Sequence, residues 1–396
     1  MNENQPIRVV FLLGTFFQNA KGACYAAERL AIGLRDEGVE LQLFVDSASG
    51  WNEEERYRGF PVWTFFLQGS GKWKKFCALC RIVWLLTTGK VPCDIFHIHG
   101  GGHMHLIVAW LVQRLAKKPV LFKITLNGWD TPDGIRQYKW GWVTLRAFMA
   151  LEAVVAMTSG QEETCRLFGY SGKLKVIANA VDTQRFCPAT SDEKRKLRES
   201  LGLDVNSTIL CYAGVLDHRK GTDLLLEAFQ ALSQEVKEPI HLLLVGDFKG
   251  GDRTRDELKT LANRLGVDSE RIPWDHVTVQ GRVKNVEDYM KLSDIFVFPS
   301  RQEGFGTVQI EAMACGLPCV VGNIPGVTCD IFEADQTGLI MKTYSVDSLK
   351  DCLQKLIADP VLRNTLGHHA SEDCRSRFGL PTIAQTYCDY YRQILN

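Results

Sequence analysis

The chain has 396 residues, which is too long for one ordinary hydrophobic core and predicts two domains of about 150–200 residues each. Hydrophobic residues make up 45% of the chain and charged residues 23%, as in soluble globular proteins. Lysine plus arginine and aspartate plus glutamate each number 46, so the formal net charge is zero. This balance argues against general nucleic-acid binding, and any basic site must be local.

The cysteines and the first residues indicate a reducing compartment. Thirteen cysteines are scattered along the chain, and the start lacks the basic and apolar regions of a secretory leader. Cys77 and Cys80 form a lone C-x-x-C in an apolar stretch, which favours core cysteines over a zinc or redox site. No apolar run reaches the roughly 18–20 residues of a membrane span. We expect a cytoplasmic protein, or one that rests on the cytoplasmic face of a membrane.

The first half of the chain alternates short buried strands with longer helical patterns. A helix is predicted over "AAERLAIGLRDEG" (26–38), where a glycine ends the pattern. The predicted strands are "IRVVFLLG" (7–14), "VELQLFV" (39–45), "DIFHIHG" (94–100), "PVLFKITL" (119–126), "AVVAMTS" (153–159) and "LKVIANAV" (174–181). Continuous apolar strands that alternate with helices indicate a doubly wound parallel sheet.

The same alternation restarts after a polar segment. Residues 182–196, "DTQRFCPATSDEKRK", are interpreted as a linker. Strands follow at "STILCYAGV" (207–215), "IHLLLVG" (240–246), "DIFVFPS" (294–300) and "LPCVVG" (317–322), with a helix at "LLLEAFQALSQEV" (224–236). The fold class is therefore α/β, with two Rossmann-like domains facing across a cleft. Such domains bind ligands beyond the carboxyl ends of their strands, so the site is expected on the loops there.

One loop of the second half combines glycines with two acids. In "FVFPSRQEGFGTVQIEAMACGLPCVVG" (296–322), a strand is followed by Gly304 and Gly306, and then by a helix that Gly316 ends. The glycines let a ligand approach the backbone, and the positive end of the helix suits a phosphate. Glu303 before the helix and Glu311 inside it suit sugar hydroxyls. The pattern favours a nucleotide sugar over an ordinary strand–helix unit with solvated acids.

This segment resembles the Glu-x(7)-Glu motif of the retaining GT-B glycosyltransferases of family four, close to "PSxxEGFGxxxxEAMAxGxPVV". Further similarities cover nearly the whole chain: "GVLDHRKGTDLLLEAF", "HLLLVGD", "VTVQGRV", "DIFHIHG" and "IANAVDTQRF". The resemblance implies an N-terminal acceptor-side domain at 1–185 and a nucleotide-sugar-binding domain at 186–378. It also implies that the C-terminal helix, 379–396, crosses back to the first domain, and that no metal is needed.

The resemblance also assigns roles to residues. Glu311 would hold the ribose, Glu303 the donor sugar, Lys220 the diphosphate, and the backbone near Val283 the base. Gly22 would be the glycine whose amide approaches the phosphate. Further donor contacts would come from the loop residues Gly304, Phe305, Gly306 and Thr307.

Three positions depart from the family pattern. Lys21 replaces the first glycine of the pair before the first helix, and Val215 replaces an arginine. One diphosphate cation is therefore missing unless Arg219 or Lys21 supplies it. Asn127, in "TLNGWD", replaces the histidine near the reacting sugar. Asparagine donates hydrogen bonds but cannot take up or release a proton as histidine does, so Asn127 is expected to position the sugar.

Two other stretches have competing interpretations. In "HIHGGGHMH" (97–105), His97 and His99 are expected on opposite faces of a strand, which argues against a shared metal. The segment "GKWKKFCALCRIVWLLTTGK" (71–90) combines basic and aromatic residues. It is either a core helix with a basic start, which we favour, or a surface helix that contacts anionic lipid.

Together with this resemblance, the sequence predicts a metal-independent retaining glycosyltransferase without a cofactor. The donor is expected to be a nucleoside-diphosphate sugar, with UDP favoured over GDP, and the acceptor a glycan, a lipid-linked molecule or a small molecule. Lys220, Glu303 and Asn127 are the candidate catalytic residues. The alternatives are a sugar-nucleotide 2-epimerase of similar fold and a catalytically silent scaffold that binds sugar nucleotides.

Overall fold

The computed structural model describes residues 5–14, 22–46, 56–67, 71–247 and 255–396. The chain divides into two compact units, one formed by Met1–Ala180 with Leu380–Asn396 and the other by Val181–Gly379. No helix in the described ranges is long and apolar enough to cross a membrane.

The first unit contains a mostly parallel sheet. In the described part of the chain its strands are β1 (Arg8–Leu13), β2 (Glu40–Asp46), β3 (Arg56–Tyr57), β4 (Phe60–Phe65), β5 (Ile95–His99), β6 (Val120–Lys123), β7 (Ala153–Ala156) and β8 (Lys173–Val176). Their spatial order is β3-β4-β2-β1-β5-β6-β7-β8, and only β3–β4 is an antiparallel pair. The central strands are buried, as expected for a parallel sheet covered on both faces.

Helices of the first unit pack on that sheet. They are α1 (Gly22–Asp36), α2 (Lys72–Thr87), α3 (His103–Leu111), α4 (Pro132–Arg136), α5 (Gly141–Met149), α6 (Ser159–Leu167) and the last helix of the chain, α15 (Leu380–Leu395). The helix α15 lies close to α1, because a Cβ added at Gly33 would be 2.7 Å from Leu380 Cδ1. Tyr390 donates to the carbonyl of Lys173 at 2.9 Å, and Tyr391 is buried. The absence of a side chain at Gly33 thus lets α15 approach α1 closely, and the buried tyrosines of α15 hold it against this unit.

The second unit repeats the alternation of strands and helices. Within the described residues its strands are β9 (Thr208–Ala213), β10 (Ile240–Val245), β11 (Val277–Gly281), β12 (Ile295–Phe298), β13 (Cys319–Val321) and β14 (Gly338–Ile340). All pair in parallel in the order β11-β10-β9-β12-β13-β14. Its helices are α7 (Ser191–Ser200), α8 (Thr222–Glu235), α9 (Arg255–Arg264), α10 (Val286–Lys291), α11 (Thr307–Ala314), α12 (Thr328–Ile331), α13 (Val346–Ala358) and α14 (Pro360–Phe378). The predicted α/β class, with two Rossmann-like parallel-sheet domains, is confirmed.

The interpretation of 182–196 as a linker is wrong for its last six residues, because α7 begins at Ser191. The side chain of Thr190 accepts a hydrogen bond from the amide of Glu193, and this cap starts the helix. Arg198 then anchors α7, because its Nη2 lies 2.6 Å from Asp294 Oδ2 and its Nε donates to the carbonyl of Leu292. The polar composition of α7 reflects exposure and a few buried ion pairs, and not the absence of structure.

The helix α2 is amphipathic, with one face in the core of the first unit and one face exposed. It buries Ala78, Ile82, Leu85 and Leu86 in the core of the first unit. Cys77 and Cys80 are exposed, so the prediction that they are core cysteines is wrong. They occupy the outer side of an amphipathic helix, where an apolar neighbourhood in the sequence does not mean burial.

Candidate donor-binding site

Lys220 lies in a tight turn after β9. The carboxylate of Asp217 accepts a hydrogen bond from the amide of Lys220 at 2.8 Å, which closes a short 3₁₀ turn. Gly221 follows with φ of +73°, and a Cβ there would lie 2.1 Å from the carbonyl oxygen of Pro299. Only glycine fits both conditions, so the "RKG" sequence brings this turn against the loop that follows β12.

The loop after β12 supplies the partner of Lys220. Lys220 Nζ lies 2.5 Å from Glu303 Oε1, and the hydroxyl of Ser300 donates to the same oxygen at 2.6 Å. The ammonium also lies over the ring of Phe298, 5.0 Å from its centroid. Glu303 is only 6% exposed, so it is held in place and is not a solvated acid. The structure therefore joins two predicted site residues that are far apart in sequence.

A second contact ties the same two loops together. Arg301 binds Asp223 of α8 through two parallel hydrogen bonds, of 2.8 and 2.7 Å. Its amide also donates to the carbonyl of Arg219, and Arg219 Nη1 donates to the carbonyl of Gln302 at 3.0 Å. Sequence reasoning missed Arg301 and Asp223, and the only available indication was that both flank predicted site residues. Their paired geometry fixes the turn and the loop relative to each other.

The residues from Gly304 to Thr307 lead into α11. Gly306 has φ of +84°, and a Cβ there would lie 2.0 Å from Gln309 Nε2. The side chain of Phe305 is buried against Phe378, with ring centroids 5.9 Å apart, so its backbone is the part that can face a ligand. Thr307 begins the helix, and in the described residues no side chain caps that start. The positive end of α11 therefore lies beside Glu303.

Glu311 lies one turn inside α11 and is 8% exposed. Arg185 connects this region to the predicted base side of the site. Its pKa is raised mainly by a hydrogen bond to Glu287, and the charge of Glu311 adds to that increase. Arg185 Nη2 lies 2.7 Å from Glu287 Oε2 and donates to the carbonyl of Lys284, which follows the half-buried Val283. Arg185 was missed by sequence reasoning, although it lies in the family-like run "IANAVDTQRF".

At position 215, where the family has an arginine, the structure has no cation. The side chain of Val215 is 47% exposed, and its carbonyl accepts a hydrogen bond from Tyr212 at 2.7 Å. Arg219 is exposed and close to the Glu303 loop, through its bond to Gln302. Lys21, the other candidate for the missing charge, lies outside the described residues. Arg219 remains as the described residue that could supply a second cation.

Two predicted site residues belong to the first unit. Gly22 is the first residue of α1, and a Cβ added there would meet nothing within 4 Å. Asn127 follows β6, and its Oδ1 accepts a hydrogen bond from Gln161 Nε2 at 2.6 Å. Gln161 is itself fixed, because its Oε1 accepts from the amide of Met157. The amide NH₂ of Asn127 is therefore left as a donor, and its role on the sugar stays a prediction.

The expectation that His97 and His99 point to opposite faces of their strand is wrong. Their rings stack with centroids 4.2 Å apart, because residues two apart on a strand share a face. His97 Nδ1 lies 2.8 Å from the hydroxyl of Tyr391, and burial lowers the pKa of both histidines. No group of three or more potential metal ligands occurs among the described residues.

Family models match both halves of the chain. The model of glycosyl transferases group 1 matches residues 193–373, which contain the Lys220–Glu303 pair and α11. The model of glycosyltransferase family 4 matches residues 21–185. The chain belongs to the group 1 glycosyltransferases.

Curated relatives of this group 1 chain carry the names of different enzymes. The D-inositol 3-phosphate glycosyltransferase of Xylanimonas cellulosilytica is 32% identical over 251 residues, which cover 62% of this chain and 57% of that protein. The alpha-maltose-1-phosphate synthase of Mycolicibacterium smegmatis is 26% identical over 265 residues, which cover 64% of this chain and 66% of that protein. The chain thus spans less than two thirds of the length of these curated relatives.

Solved structures share the fold over almost the whole chain. Anabaena HepE, crystallised in complex with UDP and glucose, matches with a TM-score of 0.77 and 20% identity, over 98% of this chain and 100% of that chain. At this identity the likeness shows the fold alone. It is the GT-B fold that the sequence resemblance predicted.

Proposed function

We propose that this group 1 protein is a retaining glycosyltransferase that moves a sugar from a nucleoside diphosphate to an acceptor. The observation that carries the proposal is the Lys220–Glu303 ion pair beside the start of α11. One loop cluster thereby combines a cation and helix amides for a diphosphate with a buried carboxylate for sugar hydroxyls. The UDP complex of HepE supports a UDP-sugar as the donor over a GDP-sugar.

In the proposed reaction, the bond between the anomeric carbon and the leaving phosphate oxygen breaks. The acceptor hydroxyl bonds to the same face of that carbon, and its proton passes to the phosphate oxygen. Lys220, with the amides of Phe305 to Thr307, stabilises the charge that develops on the diphosphate. Glu303 orients the sugar. Asn127, in the first unit, remains a predicted sugar-positioning residue. In this proposal no side-chain nucleophile is assigned.

The proposed donor site needs no divalent metal, because protein groups supply its positive field. We expect UDP to bind with the same affinity in EDTA as in excess Mg²⁺, measured by isothermal titration calorimetry. Loss of binding in EDTA would show that a metal, and not Lys220, holds the diphosphate.

A panel of UDP-sugars distinguishes the transferase from the two alternative functions. Release or transfer of the sugar supports the transferase. Interconversion of two sugar nucleotides would identify an epimerase, and binding without turnover a scaffold.

The outer face of α2 supports a peripheral contact with an anionic membrane, which suits a lipid-linked acceptor. Trp73, Phe76 and Trp84 are 73%, 55% and 47% exposed, and the rings of Trp73 and Phe76 stack at 5.7 Å. Residues 71–93 include five basic residues and no acid. Exposed aromatic rings among lysines match the apolar boundary and the negative charge of an anionic bilayer surface.

We expect the double variant Trp73→Ala/Phe76→Ala to bind anionic vesicles roughly tenfold more weakly or worse, because two aromatic contacts with the bilayer are lost. Vesicle co-sedimentation with phosphatidylglycerol, and with phosphatidylcholine alone, measures this. Trp142→Ala is the matched control, since Trp142 is 65% exposed on α5 of the same unit. Equal binding of the double variant and the wild-type chain would rule out α2 as the contact.

A further inference from the structure

A polar cavity of about 210 Å³ lies in the second unit, away from the loops described above. Ser293 and Asp294, which line it, come directly before β12, and Pro318 comes directly before β13. Because these strands are parallel, the cavity lies at the amino edge of the sheet. The Lys220–Glu303 pair lies at the carboxyl edge.

The cavity wall is rich in cations. Lys194, Lys291 and Arg363 line it, and Asp294 is the one acid among the residues that do so in the described chain. Asp294 is already bound on both oxygens, by Lys194 at 2.7 Å and by Arg198 at 2.6 Å. Three lining cations therefore accompany one carboxylate, which is already bound by Lys194 and by Arg198 outside the lining.

Lys194 and Lys291 differ in how fully their charges are compensated. Burial lowers the pKa of Lys291, but the neighbouring Cys187 and Glu193 outweigh that effect, so its pKa is raised. The nearest carboxylate oxygen to Lys291 Nζ is that of the half-exposed Glu193, at 3.4 Å, although the side chain of Lys291 is only 13% exposed. For Lys194, burial lowers the pKa more than the charge of Asp294 raises it. An anion in the cavity would stabilise the charged form of both lysines.

Arg363 has the geometry of a phosphate ligand. Its Nη1 donates to the carbonyls of Leu356 and Ile357, at 2.8 and 3.0 Å, which fixes the guanidinium against the end of α13. In the described part of the chain the hydrogen bonds of its guanidinium leave from Nη1 alone. The edge formed by Nε and Nη2 is therefore available as a two-pronged donor, and this planar fork matches the oxygens of a phosphate.

We propose that this cavity is a second anion site of the chain and that it binds a phosphate monoester. The excess of cations suits a dianion better than a carboxylate, and the volume exceeds the room that a bare phosphate needs. Asn364 adds an amide to the wall for the remainder of a small phosphorylated molecule. Inorganic phosphate and a sugar phosphate share the recognised group.

The position of the cavity links it to the segment that carries both acids of the donor site. Ser293 and Asp294 come before β12, while Cys315 and Gly316 come directly after α11. The chain between them contains the Glu303 loop and Glu311. A phosphate monoester in the cavity contacts both ends of this segment without touching its functional side chains.

The test is calorimetric titration with inorganic phosphate and, separately, with glucose 6-phosphate, at constant ionic strength in chloride. All titrations use the Lys220→Gln variant, in which phosphate binds more weakly at the donor loops. The measured binding then reports on the cavity. We expect saturable binding at millimolar concentrations, weakened roughly tenfold or more by Lys291→Gln and by Arg363→Lys. Arg363→Lys keeps the charge and removes the fork. Lys350→Gln is the matched control, because Lys350 makes a similar surface ion pair with Glu235.

Binding of both probes identifies the phosphate group as the recognised part, and tighter binding of glucose 6-phosphate shows that the sugar contributes. The proposal is overturned if neither probe binds in this background. It is also overturned if Lys350→Gln weakens binding as much as the two cavity variants do. Circular dichroism of each variant confirms that it is folded.

Discussion

Lys220→Gln is expected to lower kcat/KM for sugar transfer by about 100-fold to 1,000-fold, which is the largest effect of the substitutions considered. The reason is that Lys220 is the proposed cation on the leaving diphosphate, where charge develops in the transition state. The substitution also removes the partner that lies 2.5 Å from Glu303 Oε1. Steady-state kinetics with a UDP-sugar and its acceptor, or donor hydrolysis if no acceptor is in hand, measures the change.

Affinity for UDP should fall together with the rate, because the same ammonium contacts the diphosphate in the ground state. Lys350→Gln is again a suitable control, since its ion pair with Glu235 lies outside the loops of the site. Unchanged UDP affinity in Lys220→Gln would contradict the role of Lys220. A similar loss in Lys350→Gln would mean that the effect is general and not local.

The second prediction separates the two acids by the ligand that each one holds. Glu311→Gln should weaken UDP and the UDP-sugar equally, because the ribose is common to both. Glu303→Gln should weaken only the UDP-sugar and slow transfer, because it contacts the sugar. Each change removes hydrogen bonds to a charged acceptor, on the order of 1.5–3 kcal/mol, which is roughly tenfold to 150-fold in affinity.

Glutamine is used because both acids are nearly buried, at 6% and 8% exposure, and a truncation would leave a cavity. In Glu303→Gln the ammonium of Lys220 loses its countercharge, so UDP should bind as well as before or more tightly. Calorimetry with both ligands on both variants gives the comparison. Weaker binding of UDP by Glu303→Gln, as strong as the loss for the UDP-sugar, would reject the separate assignment of sugar and ribose.

The order of strands and helices could be predicted from the sequence because buried parallel strands and amphipathic helices have local patterns. The strand at 294–300 and the helix that Gly316 ends appear as β12 and α11, within a few residues. The glycine at 306 was predicted to have a backbone role, and it has a positive φ. These features depend on residues close together in the chain, which is why a single sequence reveals them.

Errors arose where a local pattern had two structural outcomes. Residues 191–200 are polar like a linker, but the Thr190 cap and the buried contacts of Arg198 make them a helix. Cys77 and Cys80 have apolar neighbours, but they lie on the outer side of α2. In both cases the result depends on which face of a helix meets the rest of the protein. Tertiary packing sets that face.

The sequence by itself determined the α/β class, the family motif and the identity of the two acids. Only the tertiary structure decided that Glu303 is bound by Lys220, that Arg301 clamps Asp223, and that Arg185 bonds Glu287. The partners in these pairs are 83, 78 and 102 residues apart in the chain. Periodicity and local turn chemistry carry no information about such distances. The topology of the parallel sheet explains these contacts, because the loops that follow its strands all lie at the same edge.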